Sequence, residues 1–203
     1  MKKVNLLIAV LICFTASAQF DNTFGIKAGT NYSHSRSSLS IFEGKISYYL
    51  GGYFNLGLSD IVSLRPELLL VNQGSKVPNE IYFVNTNDLY VGESNLNDIF
   101  IQLPITLRIK VVRPLHIEIG PQMGYLIKRT EVFKTFPHDP SVEGAKTKYP
   151  LSDTDQFDVA LNGGLGFDIT NRLELNARYS WGLIELDDYY KTSVISLGLG
   201  FKI

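Results

Sequence analysis

The sequence has almost no cysteine. Its one thiol, Cys13, lies in the opening stretch MKKVNLLIAVLICFTASAQF. There Lys2 and Lys3 precede an apolar run from Val4 to Phe14, and Ala16-Ser17-Ala18 follows, the order of a secretory signal peptide with an A-x-A cleavage site. Residues 1–18 are expected to be removed and residues 19–203 to form the mature domain, which then has no cysteine with which to make a disulfide. The apolar run is short for a membrane anchor and Asn5 interrupts it. Ile12, before Cys13, is not the small residue that a lipoprotein signal would place there. After residue 18 no stretch is long and apolar enough for a transmembrane helix, no helical apolar period stands out, and no low-complexity segment occurs. Basic charge is also scarce. Of 19 Lys and Arg, two leave with the signal, so 17 face 20 acidic residues, a formal charge of −3. That balance argues against a nucleic-acid partner and against a polybasic membrane-surface tail.

What the chain has is alternation. From Asn97 to Lys128, Ile99, Ile101, Leu103, Ile105, Leu107 and Ile109 alternate with Phe100, Gln102, Pro104, Thr106, Arg108 and Lys110, and Leu115, Ile117, Ile119, Met123, Tyr125 and Ile127 repeat the pattern after a turn at Val112-Arg113-Pro114. In that hairpin Val111 is expected opposite Leu115, Ile109 opposite Ile117, and Arg108 opposite Glu118, which keeps each set on one face. The same period predicts eight strands, at about 24–33, 45–58, 62–73, 98–111, 115–128, 156–169, 173–184 and 192–203. Short turns at Ser59-Asp60-Ile61, Val112-Arg113-Pro114 and Thr170-Asn171-Arg172 alternate with longer polar segments at 34–44, 74–97, 129–155 and 185–191. This is the order of an antiparallel up-and-down barrel with all its short turns at one end.

Alternation alone fits a soluble barrel or sandwich as well as a membrane one, because it does not say which face is inside. Four features point the apolar face toward lipid. Nearly every strand reaches the ~9–11 tilted residues that cross a bilayer. Glycines collect on the polar set, where a narrow lumen needs small residues beside large ones. Phe24, Phe54, Phe167 and Phe201 mark the short-turn end of the apolar face, and Tyr32, Tyr48, Tyr125, Phe157, Tyr179 and Trp181 the other, as two interfacial belts. The secretory signal is the fourth. The fold class expected is all-β, an eight-stranded antiparallel up-and-down transmembrane β-barrel with short periplasmic turns and long extracellular loops, closed because an open edge would leave amides unpaired in hydrocarbon. Pro66, Pro104 and Pro121 fall inside strands, where bulges or water-bridged gaps are expected.

Several strand phrases also resemble a known family. Phe24-Gly25-Ile26-Lys27-Ala28-Gly29, Leu64-Arg65-Pro66-Glu67-Leu68-Leu69, Gln102-Leu103-Pro104, Glu118-Ile119-Gly120-Pro121-Gln122, Asn176-Ala177-Arg178-Tyr179 and Leu197-Gly198-Leu199-Gly200-Phe201-Lys202 are together similar to the PorT-type outer-membrane β-barrel family, in order and over essentially the whole mature chain. The resemblance implies an eight-stranded barrel in a Gram-negative outer membrane, treats the strand prolines as a shared feature, and implies a link to protein secretion across that membrane.

The interior set is expected to hold Lys27, Arg65, Glu67, Arg108, Lys110, His116, Glu118, Asp158, Asp168, Glu174, Arg178 and Lys202. Both signs are present, as a plug of paired charges requires. The short turn should set Asp168 against Glu174, with Lys27, Lys110 or Lys202 as the compensating cation. His116 beside Glu118 has the chemistry of a general base, but no second histidine stands near it, and neither a metal site nor a cofactor site is expected. Asp153 with Asp155, and Asp187 with Asp188, read as solvated loop tips rather than calcium ligands. Phe133, Phe136 and Tyr149 in the third long loop, with Ile81 to Val84 in the second, are candidates for an extracellular interaction surface. The function expected is a structural or partner-binding barrel rather than an enzyme, one that contacts outer-membrane lipid and possible outer-membrane or secretion proteins, stands as a monomer, and supports secretion. A narrow channel or small-solute binder using Arg65 and Arg178 is the alternative, and a lipid-acting enzyme dependent on His116 a further one.

Overall fold

The computed structural model describes residues 22–36, 43–84, 88–136, 146–148, 156–184 and 191–203. The expected signal segment, Tyr149 and the acidic pairs at 153/155 and 187/188 lie outside these residues. Alternating sequence produces strands throughout: β1 Thr23–Arg36, β2 Glu43–Gly57, β3 Val62–Gln73, β4 Ser75–Val84, β5 Asp88–Val112, β6 Leu115–Phe136, β7 Lys146–Lys148, β8 Phe157–Asp168, β9 Leu173–Gly182 and β10 Lys191–Lys202. Eight of them form the wall. β1 pairs β2, β2 pairs β3, and the series continues through β5, β6, β8, β9 and β10, all antiparallel. β10 returns to β1, from Gly25 opposite Lys202 to Arg36 opposite Lys191, and the barrel is closed.

The short turns use local chemistry. Ser59 Oγ accepts from the Val62 amide at 3.0 Å, and Thr170 Oγ1 accepts from the Leu173 amide at 2.9 Å, so each hydroxyl caps the turn it begins. The β5–β6 turn carries a cis Arg113–Pro114 peptide.

The pleat then sorts the side chains in the opposite sense to a soluble protein. Ile26, Leu50, Leu68, Leu103, Ile119, Leu161, Leu197 and both aromatic sets face outward and are exposed, while the buried set is dominated by Lys, Arg, Glu, Asp, Asn and Gln. The largest wholly buried side chain is Arg65, at 0% exposure. A water-soluble barrel hides its aliphatic residues and wets its charges, so this arrangement belongs in a bilayer. The phenylalanine belt is in register at the short-turn end, where Phe24 faces Phe54, and Tyr125 faces Phe157 at the other end.

Inward glycines make the lumen fillable. A Cβ on Gly166 would overlap the His116 ring, and one on Gly198 would overlap the Tyr49 hydroxyl and stand 2.7 Å from the Ala28 carbonyl oxygen. Outward-facing Gly163 has nothing within 4 Å of that position. The strand prolines keep the register. Pro66 faces Ile105 and Pro104 faces Gln122, with short gaps in the ladder beside each but no shift in pairing. Of the two outcomes expected there, gaps occur and bulges do not.

Bulges occur elsewhere. Ile99 faces Lys128 while Phe100 faces Leu126, so Ile127 is an extra residue in β6. Beyond it the parity of β6 reverses: Lys128 is exposed and Arg129 is buried, whereas strict alternation places Lys128 inside. A second shift leaves Val111 outside the pairing and sets Val112, not Val111, opposite Leu115.

The extent of the strands is the main departure from expectation. Segments 74–97 and 129–136 read as polar loops, yet β5 runs for 25 residues and β6 for 22, against 12 in β8 and β10. β4 pairs the upper part of β5 from Lys76 opposite Asn95 to Val84 opposite Asp88, and β7 pairs β6 at Thr130 to Val132. A four-stranded sheet, β4-β5-β6-β7, therefore continues the wall beyond the barrel rim. The loop reading failed because each strand past the rim carries enough polar residues to resemble a loop, while the β5–β6 ladder begun in the membrane continues upward.

The glycine geometry sets a test. Gly198→Val should lower barrel stability by about 1–3 kcal/mol, the usual range for overpacking, while Gly163→Val, facing outward, should change it little. Urea unfolding in detergent micelles, followed by tryptophan fluorescence, measures both, and equal losses would contradict the assignment of faces.

Candidate functional site

Every inward strand face contributes to one connected network in the short-turn half of the lumen. Arg65 on β3 is its centre. Its Nη1 donates to Glu118 Oε1 at 2.8 Å and to Glu174 Oε1 at 2.6 Å, its Nη2 to Glu174 Oε2 at 2.9 Å, and its Nε to Asn55 Oδ1 at 2.6 Å. The guanidinium also lies over the Tyr53 ring, 4.4 Å from the centroid. Four donor contacts and one aromatic face account for a cation that water does not reach.

Arg178 on β9 grips Glu67 with both terminal nitrogens, at 2.8 and 2.7 Å, and reaches Glu118 Oε2 at 3.1 Å. Lys27 on β1 adds a third donor to Glu67 at 3.0 Å. Toward the short-turn end, Arg108 on β5 donates to Glu174 Oε2 and Asp168 Oδ1, both at 2.9 Å, and Lys202 on β10 donates to the same Asp168 oxygen at 2.9 Å. Arg108 Nη2 also stands 2.9 Å from His116 Nδ1. A guanidinium only donates, so Nδ1 accepts and the imidazole proton sits on Nε2, which faces Glu118 Oε1 at 3.6 Å. With Asn55 and Tyr53 from β2, the network links all eight wall strands.

Ten of the twelve charged or histidine residues expected inside the barrel from the sequence meet here: Lys27, Arg65, Glu67, Arg108, His116, Glu118, Asp168, Glu174, Arg178 and Lys202. Lys110 does not. It is exposed at the mouth and donates to the Asp60 carbonyl oxygen at 3.2 Å, because position 110 lies at the last inward step of β5 before the bulge at Val111.

The pairings also differ from those read off the hairpin. Arg108 and Glu118 are opposite in register but bond to other partners. Asp168 does face Glu174, and the cation between them is Arg108, with Lys202 on Asp168 alone. Long side chains in a narrow lumen lean across it, so cross-lumen partners displace cross-strand ones. Asp158 stands apart from the network, buried beside the Thr192 hydroxyl at 3.3 Å.

Above the network the lumen is filled by amides and hydroxyls. Asn162 donates to Gln122 at 3.1 Å and Tyr49 to Asn176 at 3.2 Å, around a void of about 20 Å³ that has room for about one water. A further pair closes the upper lumen, with Arg129 Nε and Nη2 donating to the two oxygens of Asp98 at 2.9 Å each. This pair is hidden from alternation by the bulge at Ile127. Asn55, Tyr49 and Tyr53 were also missed, although their odd positions on β2 share the inward parity of Gly51. The proposed aromatic loop lies differently from expectation: Phe133 and Phe136 are in β6, paired with Ser94 and Val91.

A closed antiparallel barrel with lipid-facing aliphatic side chains, two aromatic belts and a charged lumen is an integral outer-membrane β-barrel. The model of the outer membrane protein beta-barrel domain family matches residues 17–188, and the chain belongs to that family. Neisserial surface protein A has a similar fold, with a TM-score of 0.56 at 12% identity, covering 91% of this chain and 100% of that one. Ail, the attachment invasion locus protein of Yersinia pestis, gives 0.52 at 12% identity with the same coverage. None of the curated proteins matches the sequence.

The geometry predicts which pairs are coupled. A double-mutant cycle on Arg65→Met and Glu174→Met should return a coupling of about 1–3 kcal/mol, as for groups in direct contact, and the cycle on Arg108 and Glu118 a smaller one. Urea unfolding in micelles supplies the four stabilities of each cycle. A larger coupling for Arg108 and Glu118 would contradict the cross-lumen pairing.

Proposed function

We propose that the protein is a non-enzymatic outer-membrane module whose lumen is a structural plug and whose binding surface for a protein partner is the sheet carried above the rim. The observation that carries this reading is the length of β5 and β6, which exceed β8 and β10 by ten residues or more. At ~3.3 Å per residue and ~40° of tilt, that excess raises the sheet roughly 25 Å above the rim. Lipid crossing does not require it. In that sheet Ile81, Val91 and Phe136 stand side by side in register, as do Tyr82 with Tyr90 and Phe83 with Leu89, a concentration of apolar and aromatic positions outside the membrane-crossing length.

The lumen supports the rest of the reading. Bonded charges cross it from wall to wall, which disfavours a conducting path, and His116, at 1% exposure, lies within the network and away from both lipid and loop rim, which disfavours catalysis on lipid. The PorT-like strand phrases support a partner belonging to protein secretion across the outer membrane, and removal of residues 1–18 as a signal peptide belongs to the same reading.

Lys76 faces Asn95, so residues 77–94 can be replaced by Asn-Gly to give a two-residue hairpin without disturbing the wall. This variant should insert and fold as the intact protein does. Crosslinking in intact outer membranes should capture a partner with the intact protein and lose it with the shortened one. Equal capture by both would place the partner surface elsewhere.

A further inference from the structure

Below the plug the lumen opens again. A hollow of about 450 Å³ lies between the β5–β6 turn, the β8–β9 turn and the end of β10, many times the volume of the void above. Lys110, Arg113 and Lys202 line it, against one carboxylate, Asp168. That carboxylate is already engaged, since its Oδ1 accepts from both Arg108 and Lys202 at 2.9 Å. Lys110 bonds only to the Asp60 carbonyl oxygen, at 3.2 Å, and Arg113 has no side-chain hydrogen bond or ion pair among the described residues. Among the described residues neither is bonded to a carboxylate. The plug behind them does not supply the missing negative charge, for it contains five cations, Lys27, Arg65, Arg108, Arg178 and Lys202, against four carboxylates, Glu67, Glu118, Asp168 and Glu174.

We propose that this hollow binds a phosphate group at the periplasmic mouth. A tetrahedral anion accepts at once from an ammonium and from the fork of a guanidinium, the two donors that Lys110 and Arg113 hold out from one turn. Thr170 supplies a third donor: its Oγ1 accepts from the amides of Arg172 and Leu173, which leaves its own proton to give, and it lines the same hollow. The volume lies within the ~300–1,000 Å³ of small-molecule sites, enough for a phosphate with a glycerol-sized substituent. Depth fits as well. Asp168 follows Phe167 and Lys202 follows Phe201, both in the lower aromatic belt, so the opening lies at the level of lipid headgroups. The phosphate comes either from such a headgroup or from solution.

Full-length protein in maltoside micelles, which contain no phosphate, separates these sources. Inorganic phosphate is titrated by calorimetry, and phosphatidylglycerol added to the same micelles is counted by native mass spectrometry. At least one probe should bind one to one. The Lys110→Gln/Arg113→Gln variant should bind it at least tenfold more weakly, with the same heat-shifted gel mobility as the parent, and Lys110→Arg should retain binding. Binding of inorganic phosphate assigns a soluble source, and binding of the lipid alone assigns a headgroup. The proposal is overturned if neither probe binds, if the folded double variant binds like the parent, or if hexaglutamate binds more tightly than both probes.

Discussion

The Arg65 guanidinium, held between Glu118 and Glu174, is the interaction on which the rest of the lumen depends. A buried charge is tolerated only when its donors are met, and removing one member of such a group leaves the others uncompensated, at about 3–5 kcal/mol. Arg65 meets two carboxylates that are themselves held by Arg178 and Arg108, so its surroundings propagate to Lys27, Lys202 and His116. Each wall strand contributes a side chain, and the network ties the wall across its interior as the ladder ties it around its circumference. An apolar lumen would fill the space equally well. It would also make every strand apolar on both faces, the composition most prone to aggregate before insertion.

The membrane fold was legible because period two, glycine bias and belt position all agree. Phe24 with Phe54, Phe201 with Leu173 and the closure of β10 on β1 follow from counting residues between turns. Which residues share the lumen was legible for the same reason, since parity alone puts Arg65, Glu118 and Glu174 inside. Which of them bond was not. Register gives neighbours along the wall, and Arg108 with Glu118 shows that long side chains choose partners across it. Parity also fails where one residue is added, since the extra Ile127 moves Arg129 inside to meet Asp98, whereas Lys110 keeps the inward parity but stands at the last step before the turn, at the mouth. The strands above the rim were illegible for a different reason. Outside lipid nothing requires an apolar face, so Ser94, Asn95 and Asn97 read as loop although they extend a ladder started below.

The two ends of the barrel therefore have different chemistry. At one end the wall grows into a sheet that carries aromatic positions away from the bilayer. At the other, short turns capped by Ser59 and Thr170 surround a cationic opening at headgroup depth. Between them the lumen is closed by side chains that bond to one another, leaving a void of about 20 Å³ above the plug. On the reading proposed above, such a barrel holds two surfaces on opposite sides of one membrane, and its interior contributes stability rather than passage.

Single-channel recording of the purified protein in planar bilayers distinguishes a plugged lumen from a pore. A plugged lumen predicts a silent bilayer at neutral pH, both for the intact protein and for the form shortened at residues 77–94. Stable unitary currents whose size changes on Arg65→Ala or Arg178→Ala would contradict it and would make the interior charges the lining of a pore.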